Sequence, residues 1–360
     1  MAPASASTAP LRVGIIGAGQ ISQGAANDFN GDARAQVVAL ADPSPERLNA
    51  LADKAGIPKR FSTGEELIAA DGIDAVYVAV PNKFHAPLAK AALEADKHVI
   101  LDKPFALNLP EAQAVAAAAA ASGRVLMLGM NQRFKPSSQI ARARVRAGVF
   151  GEVYHAKACW RRRAGIPRIG SWFTQKAVSG GGGLLDIGVH MLDLALYVLD
   201  NFKPLSVSGA AYTKLGNQGL GSGGWGMSEI DPNAVFDVDD FATALIKLEG
   251  GVSLCLDASW ALHQPEPNYD DLHLFGTAAG GSANSGEIYR FGAAGGYEIL
   301  QGLPAGDLAT VSGNRFSNFI GACLGEHEPE VTVAQALAVQ AIIDAIYASS
   351  NNGRDVEISF

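Results

Sequence analysis

A regular alternation of short apolar runs and helical patterns, from residue 11 to residue 129, constrains the fold of this chain more than any other feature. Buried strands are predicted at residues 11–16, 36–41, 74–80, 98–101 and 125–129. Helical spacing begins near Gln20, Pro45, Gly64, Phe84 and Pro110. Strands that alternate with helices form βαβ units, whose strands are parallel. We therefore expect a doubly wound α/β domain over residues 11–135.

The chain changes character after Gly151, because turns rather than helices separate most of the later apolar runs. Strands are predicted at residues 152–160, 205–213, 241–248, 252–260 and 273–276. Helices are predicted at residues 182–199 and 333–348, and the second is a candidate to pack back on the first domain. This order predicts an α+β domain with antiparallel sheet over residues 136–360. Residues 216–226 hold six glycines and are interpreted either as a plain flexible linker or as a lid.

Composition limits the classes of partner. The 360 residues carry a formal net charge of -8 without long single-sign runs, which argues against nucleic acid or an anionic membrane surface as the main partner. The hydrophobic share of 48% is enough for a large core, and the length favours two domains. No run reaches the roughly 18 apolar residues that a membrane-spanning helix needs. A small polar substrate fits these properties better.

The cysteines and the first residues bear on where the protein works. Cys159, Cys255 and Cys323 are far apart and odd in number, so neither a disulfide framework nor a zinc site is predicted, and we expect no metal. Residues 1–10 lack a basic start and an apolar core, unlike a signal peptide, and we expect a disordered leader there. A reducing, cytoplasmic location is the simplest interpretation.

A glycine-rich turn follows the first predicted strand and opens the first predicted helix. The run Gly17-Ala18-Gly19-Gln20-Ile21-Ser22 allows a tight turn and a close backbone approach to a pyrophosphate at the helix N-terminus. The second strand ends at Asp42, whose carboxylate can accept hydrogen bonds from ribose hydroxyls and favours NAD over NADP. Asp42 is also suited to capping the helix that starts at Ser44. Arg47 lies one turn later and could pair with a 2'-phosphate.

Two polar segments follow later strands at the sheet edge where open α/β sheets bind ligands. The first is Pro81-Asn82-Lys83-Phe84-His85, and the second is Leu101-Asp102-Lys103-Pro104. A lysine before proline is held away from the helical region, so Lys103 is expected at a rigid bend with its ammonium group directed from the strand end. A fixed cation there can stabilise an alkoxide.

The predicted helix after the glycine run 180–183 carries Asp186, His190 and Asp193, spaced to share one face. A histidine beside a carboxylate is suited to remove a proton from a hydroxyl group. A buried Asp and His that satisfy each other have the same spacing, so the structural interpretation stays open. A metal site is disfavoured because no third ligand follows at a suitable distance.

The segment from Trp160 to Phe173 combines aromatic rings with arginines. Such a mixture suits stacking on a sugar ring and hydrogen bonding to its hydroxyls, and it would also suit a sugar phosphate. Arg161, Arg163 and Trp172 are the candidates for substrate binding, together with Asp186 and His190. A solvated basic strand end is the competing interpretation. Further candidates from the sheet are Asp239, Asp240, Trp260 and His263.

Taken together, these motifs resemble the Gfo/Idh/MocA family, the glucose-fructose oxidoreductase and inositol dehydrogenase group. The resemblance extends from Gly17 to the terminal segment 333–358. It implies a Rossmann domain followed by an α+β domain with a large, open, mostly antiparallel sheet, which often mediates homodimers or homotetramers. The family's usual Glu-Lys-Pro is Asp102-Lys103-Pro104 here, so the acidic side chain is shorter while lysine and proline are kept.

The resemblance also implies roles for individual residues. Lys103 matches the family's catalytic lysine, Asp186 its aspartate and His190 its histidine. In the implied reaction His190 accepts the hydroxyl proton, Lys103 stabilises the oxyanion and Asp186 orients the histidine. The positions implied to approach NAD are Gly17, Gly19, Gln20, Ile21, Asp42, Pro81, Asn82, His85 and Lys103, to which the residue-based argument adds Arg47.

Three classes of function follow from these expectations. The first is an NAD-dependent dehydrogenase that oxidises an alcohol of a sugar, glycoside or inositol. The second is an NAD-dependent glycosidase of the same fold, which oxidises a ring carbon transiently and shows net hydrolysis without accumulation of NADH. The third is a non-catalytic NAD-sensing regulator, which has no need for Lys103, Asp186 and His190 together.

Overall fold

The computed structural model describes residues 9–293, 295–301 and 313–360. The described chain divides into two compact units. One unit runs to Gly129 and includes Gly313–Ala334, and the other contains the residues from Met130 onward together with Gln335–Phe360. Of the leader expected at residues 1–10, the first eight residues lie outside the described residues. The division lies six residues before the expected boundary at residue 135.

The first unit is built from alternating strands and helices. In chain order its elements are β1 (Leu11–Ile16), α1 (Gln20–Asn30), β2 (Ala35–Ala41), α2 (Pro45–Ala55), β3 (Lys59–Phe61), α3 (Gly64–Ala69), β4 (Ala75–Val78), α4 (His85–Glu94), β5 (His98–Leu101), α5 (Leu109–Ser122) and β6 (Leu126–Leu128). Local signals set the ends of these helices. Asn108 caps α5 by accepting from the Glu111 backbone N–H, and Gly123 ends it in the left-handed region.

The six strands form one parallel sheet in the order β3-β2-β1-β4-β5-β6. The central strands are buried on both sides, which is why their sequences are apolar without alternation. The chain reverses its winding direction between β1 and β4, and the carboxyl ends of these strands are where a doubly wound sheet binds ligands. The predicted doubly wound domain is confirmed. The short strand β3 was not predicted from the sequence.

The second unit is built mainly from antiparallel strands, unlike the parallel sheet of the first unit. Its elements before residue 301 are α6 (Pro136–Arg146), β7 (Val153–Arg162), α7 (Lys176–Ser179), α8 (Val189–Leu199), β8 (Pro204–Tyr212), β9 (Phe241–Leu248), β10 (Ser253–Ser259), β11 (Asn268–Gly276), β12 (Gly280–Ser282), β13 (Ile288–Phe291) and β14 (Tyr297–Leu300). The elements after residue 313 are α9 (Arg315–Cys323), which belongs to the first unit, followed by α10 (Val333–Asn352) and β15 (Val356–Glu357). A π-helical turn, Leu184–Gly188, immediately precedes α8.

Nine strands of this unit form a sheet in the order β14-β13-β12-β11-β7-β10-β9-β8-β15. Every neighbouring pair is antiparallel except β7 and β10, which are parallel. Along β7 the even-numbered residues Ala156 and Ala158 are buried on the side that α8 covers, while the odd-numbered residues face the opposite, open side. The expected α+β domain with a large, mostly antiparallel sheet is confirmed.

The C-terminal segments are divided between the two units. Helix α10 belongs to the second unit from Gln335 onward, where Ser349 accepts a hydrogen bond from the Gly209 backbone and Tyr347 donates one to Asp239. The segment that belongs to the first unit is α9, whose Phe316 ring packs 4.7 Å from Phe29. Each assignment agrees with the contacts of the helix, which are with Phe29 for α9 and with Gly209 and Asp239 for α10.

Two helical stretches, Lys176–Leu199 and Val333–Asn352, are long and apolar enough to span a membrane by length and composition. In the structure 89% of the first window and 56% of the second are buried. Burial of this extent is typical of helices that pack inside a folded protein. The apolar character of the first stretch is therefore explained by its place against the nine-stranded sheet.

Candidate active site

The turn after β1 is shaped for a close ligand. Gly17 has a φ of 101°, and a Cβ there would lie 2.2 Å from the Ala79 carbonyl oxygen, so only glycine fits. At Gly19 a Cβ would meet nothing within 4 Å, so the chain's own packing does not require glycine. The space beside Gly19 and the N-terminus of α1 is open, and the side chains of Gln20 and Ile21 are exposed next to it. These features fit a pyrophosphate.

Asp42, at the end of β2, is tied to this turn. One carboxylate oxygen accepts from the Ala18 backbone N–H at 2.8 Å, and the other accepts from Ser44 N–H at 2.8 Å and from the Arg47 guanidinium at 3.4 Å. Helix α2 is capped by Ser44 rather than by Asp42, because the Ser44 hydroxyl accepts from Arg47 N–H. A carboxylate has further lone pairs, so Asp42 can still accept from a ribose hydroxyl.

His85 serves the protein's own backbone. Its ring is buried, with Nδ1 2.7 Å from the Pro104 carbonyl oxygen and Nε2 2.9 Å from the Val80 carbonyl oxygen. Burial lowers the pKa of His85, and a neutral ring can donate to only one of these two oxygens. The ring of His85 therefore holds the turn at Pro104, and its approach to the nicotinamide stays a prediction. Pro81 and the buried Asn82 form the neighbouring turn after β4.

Lys103 lies just beyond the end of β5, where it is half-buried. Its backbone N–H donates to the side chain of the preceding Asp102 at 3.1 Å, and a cis peptide bond joins it to Pro104. The backbone on either side of Lys103 is thus held by two polar side chains, Asp102 before it and His85 after it. This arrangement agrees with the expected rigid bend at Lys103.

Arg315, which the sequence did not single out, completes this part of the site. Its guanidinium is buried and donates to Asp102 at 3.0 Å, to the Gly129 carbonyl oxygen at 2.7 Å and to the Tyr77 hydroxyl at 3.4 Å. Burial alone would raise the pKa of Asp102, but the positive charges of Arg315 and Lys103 outweigh it and lower that pKa. Asp102 is therefore held as a carboxylate.

In the second unit, Asp186 and His190 stand out by exposure. All other residues from Gly181 to Val198 are buried, whereas these two are half-buried, with part of each side chain exposed. Asp186 lies in the π-helical turn and His190 in the first turn of α8. Asp193, expected on the same face, is instead fully buried and paired with the equally buried Arg133 at 2.5 Å. The exposure pattern favours the functional interpretation over a buried Asp and His that satisfy each other.

Two neighbours fix the carboxylate and the helix that carries it. The indole Nε1 of the buried Trp260 donates to Asp186 at 2.8 Å. Asp239 accepts from the backbone N–H groups of Gly182 at 2.7 Å and Leu184 at 2.8 Å, and from the Tyr347 hydroxyl. A Cβ at Gly182 would lie 1.8 Å from the Asp239 backbone oxygen, so this position requires glycine. These contacts stabilise the start of the helix.

The strand register corrects the choice of arginines. Even-numbered residues of β7 face α8, so Trp160 and Arg162 lie on the side of Asp186 and His190. The Trp160 ring is 6.0 Å from the His190 ring, and the Arg162 guanidinium is 4.8 Å from the Trp160 ring. Burial lowers the pKa of Arg162, and the carboxylates of Asp186 and Asp270 act in the opposite direction.

The other predicted arginines point elsewhere. Arg161 lies on the open side of the sheet, 5.4 Å from the ring of Tyr269, and the exposed Arg163 donates to the Pro265 carbonyl oxygen. Their expected place beside Asp186 and His190 is therefore corrected in favour of Arg162, because a shift of one residue along a strand reverses the face. Trp172 is half-buried and stacks on Phe173 at 3.8 Å.

The remaining candidates from the sheet are structural or exposed. Asp239 stabilises the helix start, as described, and Asp240 accepts from the backbone N–H groups of Lys214, Leu215 and Gly216 at 2.6–2.9 Å. His263 is exposed. The expected pocket-lining role of the two aspartates is replaced by backbone capping. Within the part of the chain that the structure describes, no three His, Cys, Asp or Glu side chains form a metal site.

The glycine-rich segment is fixed to the chain around Gly165. Ile166 N–H donates to the Gly221 carbonyl oxygen, and Gly223 N–H donates back to the Ile166 carbonyl oxygen at 2.9 Å. The indole of Trp225 donates to the Gly165 carbonyl oxygen at 3.2 Å. These bonds are unlike a plain linker, and the close approach of the two segments accounts for several of the glycines.

Comparison with known proteins agrees with this architecture. Residues 11–130 match "Oxidoreductase family, NAD-binding Rossmann fold", and residues 138–280 match "GFO/IDH/MocA C-terminal domain". The chain is 33% identical to D-glucoside 3-dehydrogenase of Escherichia coli (strain K12), over 98% of each chain. It is 29% identical to levoglucosan dehydrogenase of Pseudarthrobacter phenanthrenivorans, over 74% of this chain and 72% of the relative.

A solved structure shows the same fold across both units. The NAD-binding protein from Listeria innocua superposes with a TM-score of 0.78 at 26% identity, and the match covers 96% of each chain. The family matches lie in both units and include the glycine-rich turn at Gly17, Lys103, Asp186 and His190. The predicted family and the NAD-binding Rossmann domain are thereby confirmed, and the chain belongs to the Gfo/Idh/MocA family of oxidoreductases.

Proposed function

We propose that this protein is an NAD-dependent dehydrogenase that oxidises a secondary ring hydroxyl of a glycoside. The observation that carries the proposal is the exposure of Asp186 and His190 on a helix that is otherwise buried from Gly181 to Val198. A partly exposed Asp and His can act on a bound molecule, whereas an Asp and His that are buried in the core only stabilise the fold. Identity of 33% to an E. coli D-glucoside 3-dehydrogenase over 98% of both chains supports the substrate class.

The first unit fits NAD by its own geometry. Gly17 makes the tight turn, Gly19 leaves space beside the start of α1, and Asp42 offers free lone pairs at the end of β2. NAD bound there supplies the hydride acceptor. The Asp42 carboxylate would repel a 2'-phosphate, and we propose NAD rather than NADP for this reason, although Arg47 lies beside it.

Each proposed catalytic residue acts on the substrate hydroxyl. His190 removes the hydroxyl proton, and the Lys103 ammonium group stabilises the negative charge that develops on that oxygen. Asp186 orients the imidazole, while its own position is fixed by the Trp260 indole. Arg162 and Trp160 lie on the same side of the sheet and are proposed to contact the sugar ring.

The near-ultraviolet absorbance of NADH tests this function. Purified protein with NAD or NADP is supplied separately with glucose, methyl β-glucoside, levoglucosan and myo-inositol. Reduction of NAD by methyl β-glucoside supports the proposal, and the identity of the oxidised carbon follows from the product. Net hydrolysis of the glucoside without NADH would support an NAD-dependent glycosidase instead. Binding of NAD without turnover of any substrate would contradict an enzymatic role.

We also propose that the protein is a homo-oligomer located in a reducing compartment such as the cytoplasm. The open side of the nine-stranded sheet exposes Leu245, Phe291, Tyr297 and Ile299. Phe291, Tyr297 and Ile299 lie on the adjacent strands β13 and β14, and an exposed apolar cluster of this kind commonly marks a protein interface. The three cysteines are free thiols, in agreement with a reducing compartment. Light scattering after size-exclusion chromatography tests the oligomeric state.

A further inference from the structure

Three aromatic rings from two neighbouring segments form a half-exposed surface, here called the aromatic platform: Trp172, Phe173 and Trp225. Trp172 stacks on Phe173 at 3.8 Å, and the edge of Phe173 meets Trp225 at 6.2 Å. Trp225 is 38% exposed, and the other two rings are half-buried. Phe173 also packs against a buried core cluster that includes Trp260, so the three rings are anchored in the protein while Trp225 is exposed.

The aromatic platform continues from His190 through one arginine. The Arg162 guanidinium lies over Trp160, whose ring is 6.0 Å from His190, and it also lies 5.7 Å from the ring of Trp225. Trp160 and Arg162 thus lie between His190 and Trp225 in this series of contacts. If the sugar that is oxidised lies at His190, a group attached to that sugar would be the part of the substrate that reaches the aromatic platform.

Glycines allow the close packing around the aromatic platform. A Cβ at Gly223 would lie 2.6 Å from the Trp225 ring, and a Cβ at Gly165 would lie 2.4 Å from the Arg162 side chain. Trp225 is fixed by its bond to the Gly165 carbonyl oxygen, and Arg168 donates to the Ser228 carbonyl oxygen at 3.2 Å. The surface is thus built before any ligand arrives, which reduces the entropic cost of binding.

The segment that carries Trp225 also exposes apolar side chains, namely Leu220, Met227, Ile230 and Val235. An aromatic group gains from contact with these apolar side chains and with the three rings, and it can also stack on the Arg162 guanidinium, which lies 5.7 Å from the Trp225 ring. We infer that the aromatic platform binds an aromatic aglycone, so that aryl glycosides are the preferred substrates. This inference rests on the proposed function and adds a substrate subsite to it.

The test compares phenyl β-glucoside with methyl β-glucoside at saturating NAD. The ratio of kcat/KM for the phenyl to the methyl compound is expected to be about tenfold or more in the unmodified protein. Trp225→Ala is expected to lower this ratio about five- to tenfold, and Trp225→Phe to lower it less. Phe360→Ala, which removes an exposed ring at the end of the chain, is the matched control and should leave the ratio unchanged.

A ratio near one, or an equal ratio in Trp225→Ala and the unmodified protein, would overturn the inference. Calorimetry on the NADH-bound protein separates this result from failure of the proposed function, because it needs no turnover. Suppose that no glycoside is oxidised, but phenyl β-glucoside binds more tightly than methyl β-glucoside and Trp225→Ala removes this difference. The aromatic platform would then be confirmed as a binding site for aryl groups, and the dehydrogenase proposal would fail. Equal dissociation constants for both compounds would overturn the aromatic platform alone.

Discussion

The guanidinium of Arg315 donates a 3.0 Å hydrogen bond to the carboxylate of Asp102, the residue before Lys103, across 213 positions of sequence. The same carboxylate oxygen accepts from the Lys103 backbone N–H. The Arg315 guanidinium and the Asp102 carboxylate therefore fix the position of the backbone from which Lys103 extends. The aspartate that replaces the family's glutamate has a partner of its own in Arg315.

Arg315→Met is expected to destabilise the protein by about 3–5 kcal/mol, because it leaves the Asp102 carboxylate buried and without its countercharge. Chemical unfolding measures the change. The double variant Arg315→Met with Asp102→Asn should recover part of the loss, since the uncompensated charge is then removed. A double variant that is less stable than the sum of the two single changes would contradict the pairing.

The pair also predicts a dependence of stability on pH. The pKa of Asp102 is lowered in the folded protein, so the unfolded chain binds the proton more readily. The stabilisation is present above the unfolded value of about 3.9 and is lost as the pH falls through the folded value. We expect the difference in unfolding free energy between the unmodified protein and Asp102→Asn to be constant from pH 7 to about pH 5 and to shrink below about pH 4. A difference that grows on acidification would contradict this.

The proposed catalytic residues give a direct prediction. Lys103→Met and His190→Asn should each lower kcat at least about a hundredfold, because each removes a group that acts on the substrate hydroxyl. Lys90→Met and His327→Asn change exposed residues of the same type and serve as controls. Steady-state kinetics, thermal unfolding and NAD titration are measured together. Near-normal turnover in either catalytic variant, with folding and NAD affinity intact, would exclude its role.

Trp260→Phe removes the indole N–H that donates to Asp186 and keeps an aromatic ring in the core. A hydrogen bond to a charged group is worth about 1.5–3 kcal/mol, so kcat is expected to fall about tenfold or more. The pH profile of kcat should also shift, because Asp186 is then free to change its interaction with His190. An unchanged profile with reduced stability alone would assign Trp260 to packing.

Asp42→Asn tests the preference for NAD. The substitution keeps the shape of the side chain and removes the negative charge beside Arg47. The ratio of kcat/KM for NAD to that for NADP should fall about tenfold or more, because repulsion of the 2'-phosphate is lost and Arg47 becomes available. Equal loss with both cofactors would show that Asp42 mainly stabilises the glycine turn, through its bond to Ala18.

Much of the fold could be predicted from local patterns. The strands Leu11–Ile16, His98–Leu101 and Phe241–Leu248 have the bounds that their apolar runs predict. The short strand Lys59–Phe61 is exposed or half-exposed and carries two basic residues, so its sequence lacks the apolar signal of a strand. Its pairing with β2 is a tertiary effect that a local pattern does not contain.

The site was less predictable, for two physical reasons. Arg315 reaches Asp102 from a distant segment, and no spacing rule connects residues so far apart. Along β7 the choice between Arg161 and Arg162 depends on which face α8 covers, and the sequence of Trp160 to Arg163 leaves that open. The exposure of Asp186 and His190, which separates a functional pair from a packing pair, likewise appears only in three dimensions.

Asp239 and Asp240 are consecutive, yet one caps the helix that carries Asp186 and His190 while the other caps the backbone turn at residues 214–216 that opens the glycine-rich segment of Trp225. The backbone at Asp239 and Asp240 therefore fixes the position of both the helix that carries His190 and the segment that carries Trp225. In laboratory evolution, substitutions that displace this backbone should change turnover and aglycone selectivity together, whereas substitutions within the platform should alter selectivity alone.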